Sequence, residues 1–396
     1  MIVNIIILFN FFSQSLEIND LTKAYAFLQK RHIDSANYYF TAAINNNPNN
    51  TTLYIERGKT FIKLNQIDRA IKDFNKANSI KNNIASYYLA YSYALIKDTI
   101  NTIKYTKDNL SSSYKAKKIE YQLETAFLFL KNNPEWNKIW EKEWYSTNEN
   151  LIGELRFNAN IKDWNSIIKT IQNLEINKKK LSHEMNYYAS LAYFNLKNYK
   201  TATFYIDKAI RINKNPQYYE LRAKCKAAQN DFRGCDDDLN YALKENPYDF
   251  SLYIEHAKTL CKLHRYEESS NVLSNYIVLF PEDTSAMFLY SEVSFYNENY
   301  ITTLEILNKL ISINTKDIYL LLRARTYSKL KLNNNALKDY DSISNKNPNN
   351  AQILVERALL KIEMGDKKNA CIDLLKAEQL GSVDAANLRW QNCSMP

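Results

Sequence analysis

Residues 53–77 read LYIERGKTFIKLNQIDRAIKDFNKA. Apolar residues recur three and four apart from Thr52 to Leu64 and again from Ile67 to Ile80, the spacing of two amphipathic helices of about 14 residues each. Asn65-Gln66 is the polar break between them. Gly58 in the first helix and Ala70 in the second are small at facing positions, so the two helices can close on each other. The stretch predicts a helical hairpin.

The spacing of Gly58, Phe61, Ala70, Phe74 and Ala77 resembles the tetratricopeptide repeat family. That family repeats every 34 residues or so, with small residues at positions 8 and 20, aromatics at 11 and 24, and Pro near 32. With Ala70 as position 20, residues 17–50 carry Ala24, Phe27, Ala36, Phe40 and Pro48 in register. From residue 183 to 384 six further repeats run without a gap. Their positions 8 and 20 are Ser190 and Ala202, Ala223 and Cys235, Ala257 and Ser269, Ser291 and Thr303, Ala324 and Ala336, and Ala358 and Ala370. From Ala85 to Leu110 the pattern slips by one or two residues, and no small residue stands where Ala70 stood. The resemblance implies an all-α fold, a right-handed superhelical solenoid of stacked helix-turn-helix repeats with no single central core.

Composition agrees with nearly continuous helix. The 396 residues hold only 5 Gly and 7 Pro, against 30 Tyr and 17 Phe. Residues 16–110 read as an N-terminal array and 183–384 as a C-terminal array, joined by degenerate helical repeats over 111–182. There the pattern predicts helices from Tyr114 to Leu130 and from Pro134 to Tyr145, then a pair over Leu151 to Ala159 and Trp164 to Leu174. Trp136, Trp140 and Trp144 recur every four residues and predict one buried stripe. Residues 385–396 are the expected capping helix.

The first fifteen residues differ from the rest of the chain. Ile5 to Phe12 is apolar apart from Asn10, and Ser13-Gln14-Ser15 offers small residues at the two recognition places of a secretory cleavage site. The run is too short to cross a bilayer, which takes about 20 residues. A signal peptide over 1–15 is therefore expected. With it comes an exported location, periplasmic, outer-membrane-associated or extracellular, and cytoplasmic if the run is not a signal. Membrane association would then come only through partners.

No catalytic or cofactor motif stands out. The five glycines are isolated, which excludes a phosphate-cradling loop. His256, Cys261 and His264 come closest to a metal cluster, but residues five and eight apart on one helix point in different directions. The expectation is therefore no enzyme, no cofactor, no metal and no small-molecule substrate. In an exported chain, Cys371 with Cys393 would pin the cap, and Cys225 with Cys235 would join two helices of one repeat.

The resemblance also implies that the first helices line a concave groove. Carrying its positions 9 and 13 onto this chain gives Lys59, Lys63, Lys224, Lys258, Lys262, Arg325 and Lys329, interrupted by Glu292 and Tyr296. The expected partner is a protein or peptide, acidic if this basic ladder selects it, and the expected role is an adaptor of the cell envelope. The net charge of +9 leaves open a nucleic-acid-binding or cytoplasmic regulatory alternative. The interleaved Glu and Asp residues and the lack of an aromatic-plus-basic module argue against nucleic acid.

Overall fold

The structure, a computed structural model, describes residues 18–393. The apolar run read as a signal lies outside them. The described residues form 23 α-helices and one short 3₁₀ helix, with no strand. They divide into two compact units, one ending at Leu252 and one beginning at Tyr253. Both are stacks of helical hairpins, and the irregular segment 111–182 lies inside the first.

The founding hairpin is Thr51–Lys63 against Ile67–Ile80. Asn65 between them adopts a left-handed backbone with φ of 57°, a conformation Asn tolerates better than most residues. The same turn recurs at Arg31, Lys97, Lys162, Lys197, Asn230, His264, Glu298, Lys331 and Gly365. Only Gly365 supplies a glycine, the residue best suited to it. In six of these turns the next residue caps the second helix by accepting from its backbone: Asp98, Asp163, Asn198, Asp231, Asn299 and Asp366. One left-handed residue followed by one side-chain cap makes the whole turn.

Inside each regular hairpin the contact is between small residues. Ala24, Ala36, Ala70, Ser190, Ala202, Ala257, Ser269, Ala324, Ala336, Ala358 and Ala370 are all fully buried. At two of the three serines the hydroxyl crosses to the facing helix: Ser190 Oγ donates to the Ala202 carbonyl at 2.8 Å, and Ser269 Oγ to the Ala257 carbonyl at 2.9 Å, while Ser291 Oγ donates within its own helix to the Phe288 carbonyl. Backbones this close leave room for little else. Gly58 shows the limit, although its neighbour is the Phe74 ring and not Ala70. A Cβ at Gly58 would lie 2.4 Å from Phe74 Cε1.

The slipped repeat keeps the rule that its sequence was expected to break. Its turn residue, Lys97, comes 32 residues after Asn65. A two-residue shortening brings Ala90 and Thr102, both fully buried, to the facing positions.

The next repeat breaks the rule. Counting on from Ala90 and Thr102, the facing positions are Glu124 and Trp136. A buried Trp136 takes the space a first helix would need. The expected helix from Tyr114 to Leu130 is accordingly Lys118–Leu123, an extended Glu124, and a 3₁₀ helix over Thr125–Leu130. Phe127 stacks on Trp136 with centroids 5.6 Å apart, and Tyr121 meets both Trp136 and Trp140 edge-on. The following helix ends at Glu141, not Tyr145. Trp144 therefore leaves the stripe, and its Nε1 instead donates to the Ile139 carbonyl at 2.7 Å. The next first helix starts earlier than expected, at Thr147, because Ser146 and Glu149 form a capping box. It runs to Asn160 and pairs with Trp164–Ile176.

A second contact joins hairpin to hairpin. Arg57 Nε and Nη2 donate to Asp73 Oδ2 and Oδ1 at 2.8 and 2.7 Å, and Nη1 reaches Thr41 in the preceding hairpin at 3.1 Å. Arg222 repeats this on Asp238 and Asp207, Arg323 on Asp339 and Asn308, and Arg357 on Asp373 and Asp341. Burial alone would lower the Arg222 pKa, but its bonds to Asp238 and Asp207 outweigh this and raise it. Within the first unit the stack also bends back on itself, since the Tyr25 and Tyr248 rings stack at 4.4 Å.

At the far end, helix Val383–Cys393 lays Ala385 and Leu388 over Ala370, Leu374 and Ala377. A disulfide joins Cys371 to Cys393, with Cα atoms 5.8 Å apart. The second expected pair does not form: Cys225 and Cys235 are both free, buried thiols, and burial pushes the Cys225 thiol up to about 11.

The small-residue contact and the Arg–Asp contact each carry a measurable share of stability. Gly58→Ala should lower stability by about 2 kcal/mol through overpacking against Phe74, while Gly153→Ala, with open space around its Cβ, should raise it by about 1 kcal/mol. Urea midpoints of the two variants would move in opposite directions. Asp238→Asn should cost about 2–3 kcal/mol, since it strips the carboxylate from both Arg222 and Lys226. That is below the loss for a fully buried pair because Arg222 keeps 19% side-chain exposure, and equilibrium denaturation measures it.

Candidate functional site

First helices of successive regular repeats lie side by side within each unit, so their outward positions form a face, interrupted in the first unit by the irregular segment 111–182. In the first unit that face carries Lys59, Lys63 and Lys224; in the second it carries Lys258, Lys262, Tyr296, Arg325 and Lys329.

Much of the expected basic ladder is already engaged. Lys59 Nζ bonds Glu56 at 2.7 Å and sits 5.0 Å from the Tyr88 ring centroid. Lys224 pairs with Glu220 and Lys258 with Glu255, each one turn away. Arg325 forms a two-pronged bond to Glu356 at 2.9 and 2.6 Å, and Tyr340 donates to the same carboxylate at 3.1 Å. Burial would raise the Glu356 pKa; the Arg325 bond overrides this and lowers it. Lys63, Lys262 and Lys329 are exposed and make no ion pair among the described residues. Tyr296 is 61% exposed and stacks on Tyr266 at 5.5 Å. Glu292 is half-buried, and desolvation raises its pKa.

A cavity lies elsewhere in the first unit, at the broken repeat. Lys115–Ile119, Gln122, Tyr145, one face of helix Thr147–Asn160 and Glu184 line about 520 Å³. Its wall is tied down by Lys115 Nζ, which bonds the Trp144 carbonyl at 2.6 Å and Glu149 at 2.9 Å. Tyr145 OH donates to the Ala116 carbonyl at 2.7 Å, and Lys117 pairs with Glu184 at 3.0 Å. The Lys115 bond, helped by the Ser146 backbone, holds the Glu149 carboxyl down at about 2. Sequence reasoning missed this cavity. Its one readable signal is Gly153, a glycine in mid-helix with no turn to make.

Among the described residues no group of three or more His, Cys, Asp and Glu side chains is placed to hold a metal. His264 sits in a turn with Nδ1 2.8 Å from Tyr266 OH, and His256 is buried. No described helix is long and apolar enough to cross a membrane.

The tetratricopeptide repeat family profile matches residues 51–84 and 183–216. The chain carries tetratricopeptide repeats. A TPR repeat-containing protein of Methanocaldococcus jannaschii is 26% identical over 379 residues, covering 86% of this chain and 66% of that protein. The chain thus spans just under two thirds of that relative's length. Among solved structures, the C-terminal part of a TPR repeat-containing protein from Cytophaga hutchinsonii is similar with a TM-score of 0.50 and 15% identity, over 60% of this chain and 98% of that one. A tetratricopeptide repeat protein from Parabacteroides merdae gives 0.42 and 19%, over 60% and 95%. The Cytophaga likeness bears on the fold alone. Tetratricopeptide repeats generally serve as protein-interaction scaffolds.

The Glu149 contact sets an acid dependence. Its folded pKa lies below its ordinary value, so the stabilisation is fully present above about 4.5 and disappears as the pH falls towards about 2. The stability gap between the parent and Glu149→Gln, read from denaturation midpoints, should narrow over that interval.

Proposed function

We propose that the chain is a non-enzymatic scaffold of the cell envelope that holds protein segments along the first-helix faces of its repeats. The observation that carries this is, within each unit, the succession of helical hairpins. Each presents its first helix outward while its interior is fully used in packing. A stack of this kind offers an extended surface to a partner. A preference for acidic segments rests on Lys63, Lys262 and Lys329, whose exposed ammonium groups have no carboxylate on hand. The Cys371–Cys393 disulfide supports an oxidising compartment, as does the apolar run Ile5 to Phe12. Membrane association would come through partners.

Reversing charge at Lys63, Lys262 and Lys329 breaks no ion pair and should leave the fold intact. Capture of the native partner should nevertheless fall about tenfold, with salt weakening what remains. Undiminished capture removes the acidic preference, and a parent chain that captures nothing removes the scaffold reading. For the compartment, Cys371 and Cys393 in protein taken unreduced from its native cell should resist alkylation, whereas ready labelling of both points to a reducing location.

A further inference from the structure

The broken repeat does more than interrupt the stack. Trp136 denies its first helix the usual seat, so that helix stops at Leu123. The neighbouring helix carries Gly153, whose missing side chain leaves nothing within 4 Å. A helix interior with Gly gives up about 1 kcal/mol relative to Ala, and here no packing constraint calls for it. Shortened helix and missing side chain open onto the same cavity.

The lining states what fits. Ile119 and Ile152 form a buried apolar floor, and Phe157 stands half exposed at the edge. Three lysines and three glutamates line the walls, so the lining has no net charge. Two of the three pairs, Lys115 with Glu149 and Lys117 with Glu184, are closed. Lys118 and Glu154, of opposite sign, are exposed to solvent, so the lining gives an ionic group no net attraction, whereas the buried Ile119 and Ile152 floor favours an apolar one. Gln122 is exposed at the rim, and its amide makes no hydrogen bond among the described residues. The volume of about 520 Å³ lies within the range of sites that enclose small ligands, about 300–1,000 Å³.

We propose that this cavity is an anchor pocket for one large uncharged apolar side chain, aromatic or aliphatic, of an extended partner segment, with Gln122 engaging the segment's backbone. The proposal rests on the scaffold reading and deepens it. It places the point of selectivity at the irregular repeat and not on the lysine ladder.

The test uses the whole chain, with N-acetyl-L-tryptophanamide, N-acetyl-L-leucinamide and N-acetyl-L-lysinamide as single-side-chain probes, followed by random linear peptides selected by display. The tryptophan and leucine amides should bind and the lysine amide should not. Selected peptides should share one apolar residue whose replacement by Ala weakens binding about tenfold. Gly153→Trp fills the pocket from within and should abolish probe binding while the thermal melt stays that of the parent. If that variant melts early, Phe157→Arg at the exposed edge serves instead. The pocket is overturned if neither apolar amide binds, if the lysine amide binds equally, or if Gly153→Trp binds the amides and peptides as the parent does. Peptides indifferent to Gly153→Trp but lost on charge reversal at Lys63, Lys262 and Lys329 would remove the pocket and keep the scaffold. Amide binding that Gly153→Trp abolishes, with no native partner captured, would keep the pocket and remove the scaffold.

Discussion

Close approach of two helix backbones is the constraint on which the rest depends. Ala, Ser, Thr, Gly or Cys at the facing positions brings the helices together, and the larger side chains then pack around that contact and not through it. Phe74 shows how little slack remains, because its ring occupies the volume that any side chain at Gly58 would need. Within four hairpins Arg57, Arg222, Arg323 and Arg357 clasp an Asp of the second helix, and the same guanidinium reaches back to Thr41, Asp207, Asn308 or Asp341 of the preceding hairpin. A desolvated carboxylate such as Asp238, at 3% side-chain exposure, is tolerated because guanidinium donors are fixed in front of it.

The hairpin register is legible in the sequence because it rests on residue size at fixed spacing. Ala202, Ala257 and Ala336 announce themselves wherever they are placed. The irregular segment is not legible in the same way. Periodicity in Tyr114 to Leu130 favours one helix, but Trp136, which lies beyond the end of that stretch, decides that it breaks. Local pattern cannot weigh a clash that only the fold creates. The Trp144 prediction fails for a related reason, since four-residue spacing implies a stripe only while the helix lasts. The Arg–Asp bonds do have a sequence signal, as Arg and Asp sixteen residues apart recur at all four. A salt bridge across a turn leaves no mark on hydrophobic periodicity, so a search for apolar spacing does not reveal it.

The candidate surface is legible as position but not as charge. First-helix residues stand where the repeat register puts them. Whether a lysine offers its charge to a partner depends on neighbours a turn or a repeat away, as Glu56 does for Lys59 and Glu356 for Arg325. Counting cations along a face therefore overstates its potential. The charge that remains is carried by fewer groups, and the shape that distinguishes one part of the face from another comes from the one repeat whose packing fails.

The covalent bond between Cys371 and Cys393 acts as a boundary condition. In a quasi-one-dimensional stack each hairpin is stabilised by two neighbours except the terminal ones, so melting begins at the ends and travels inward. Tying helix Val383–Cys393 to the hairpin beneath it keeps that helix from fraying ahead of the hairpin. Within the second unit, loss of the cap and loss of its neighbouring hairpin thus become one event.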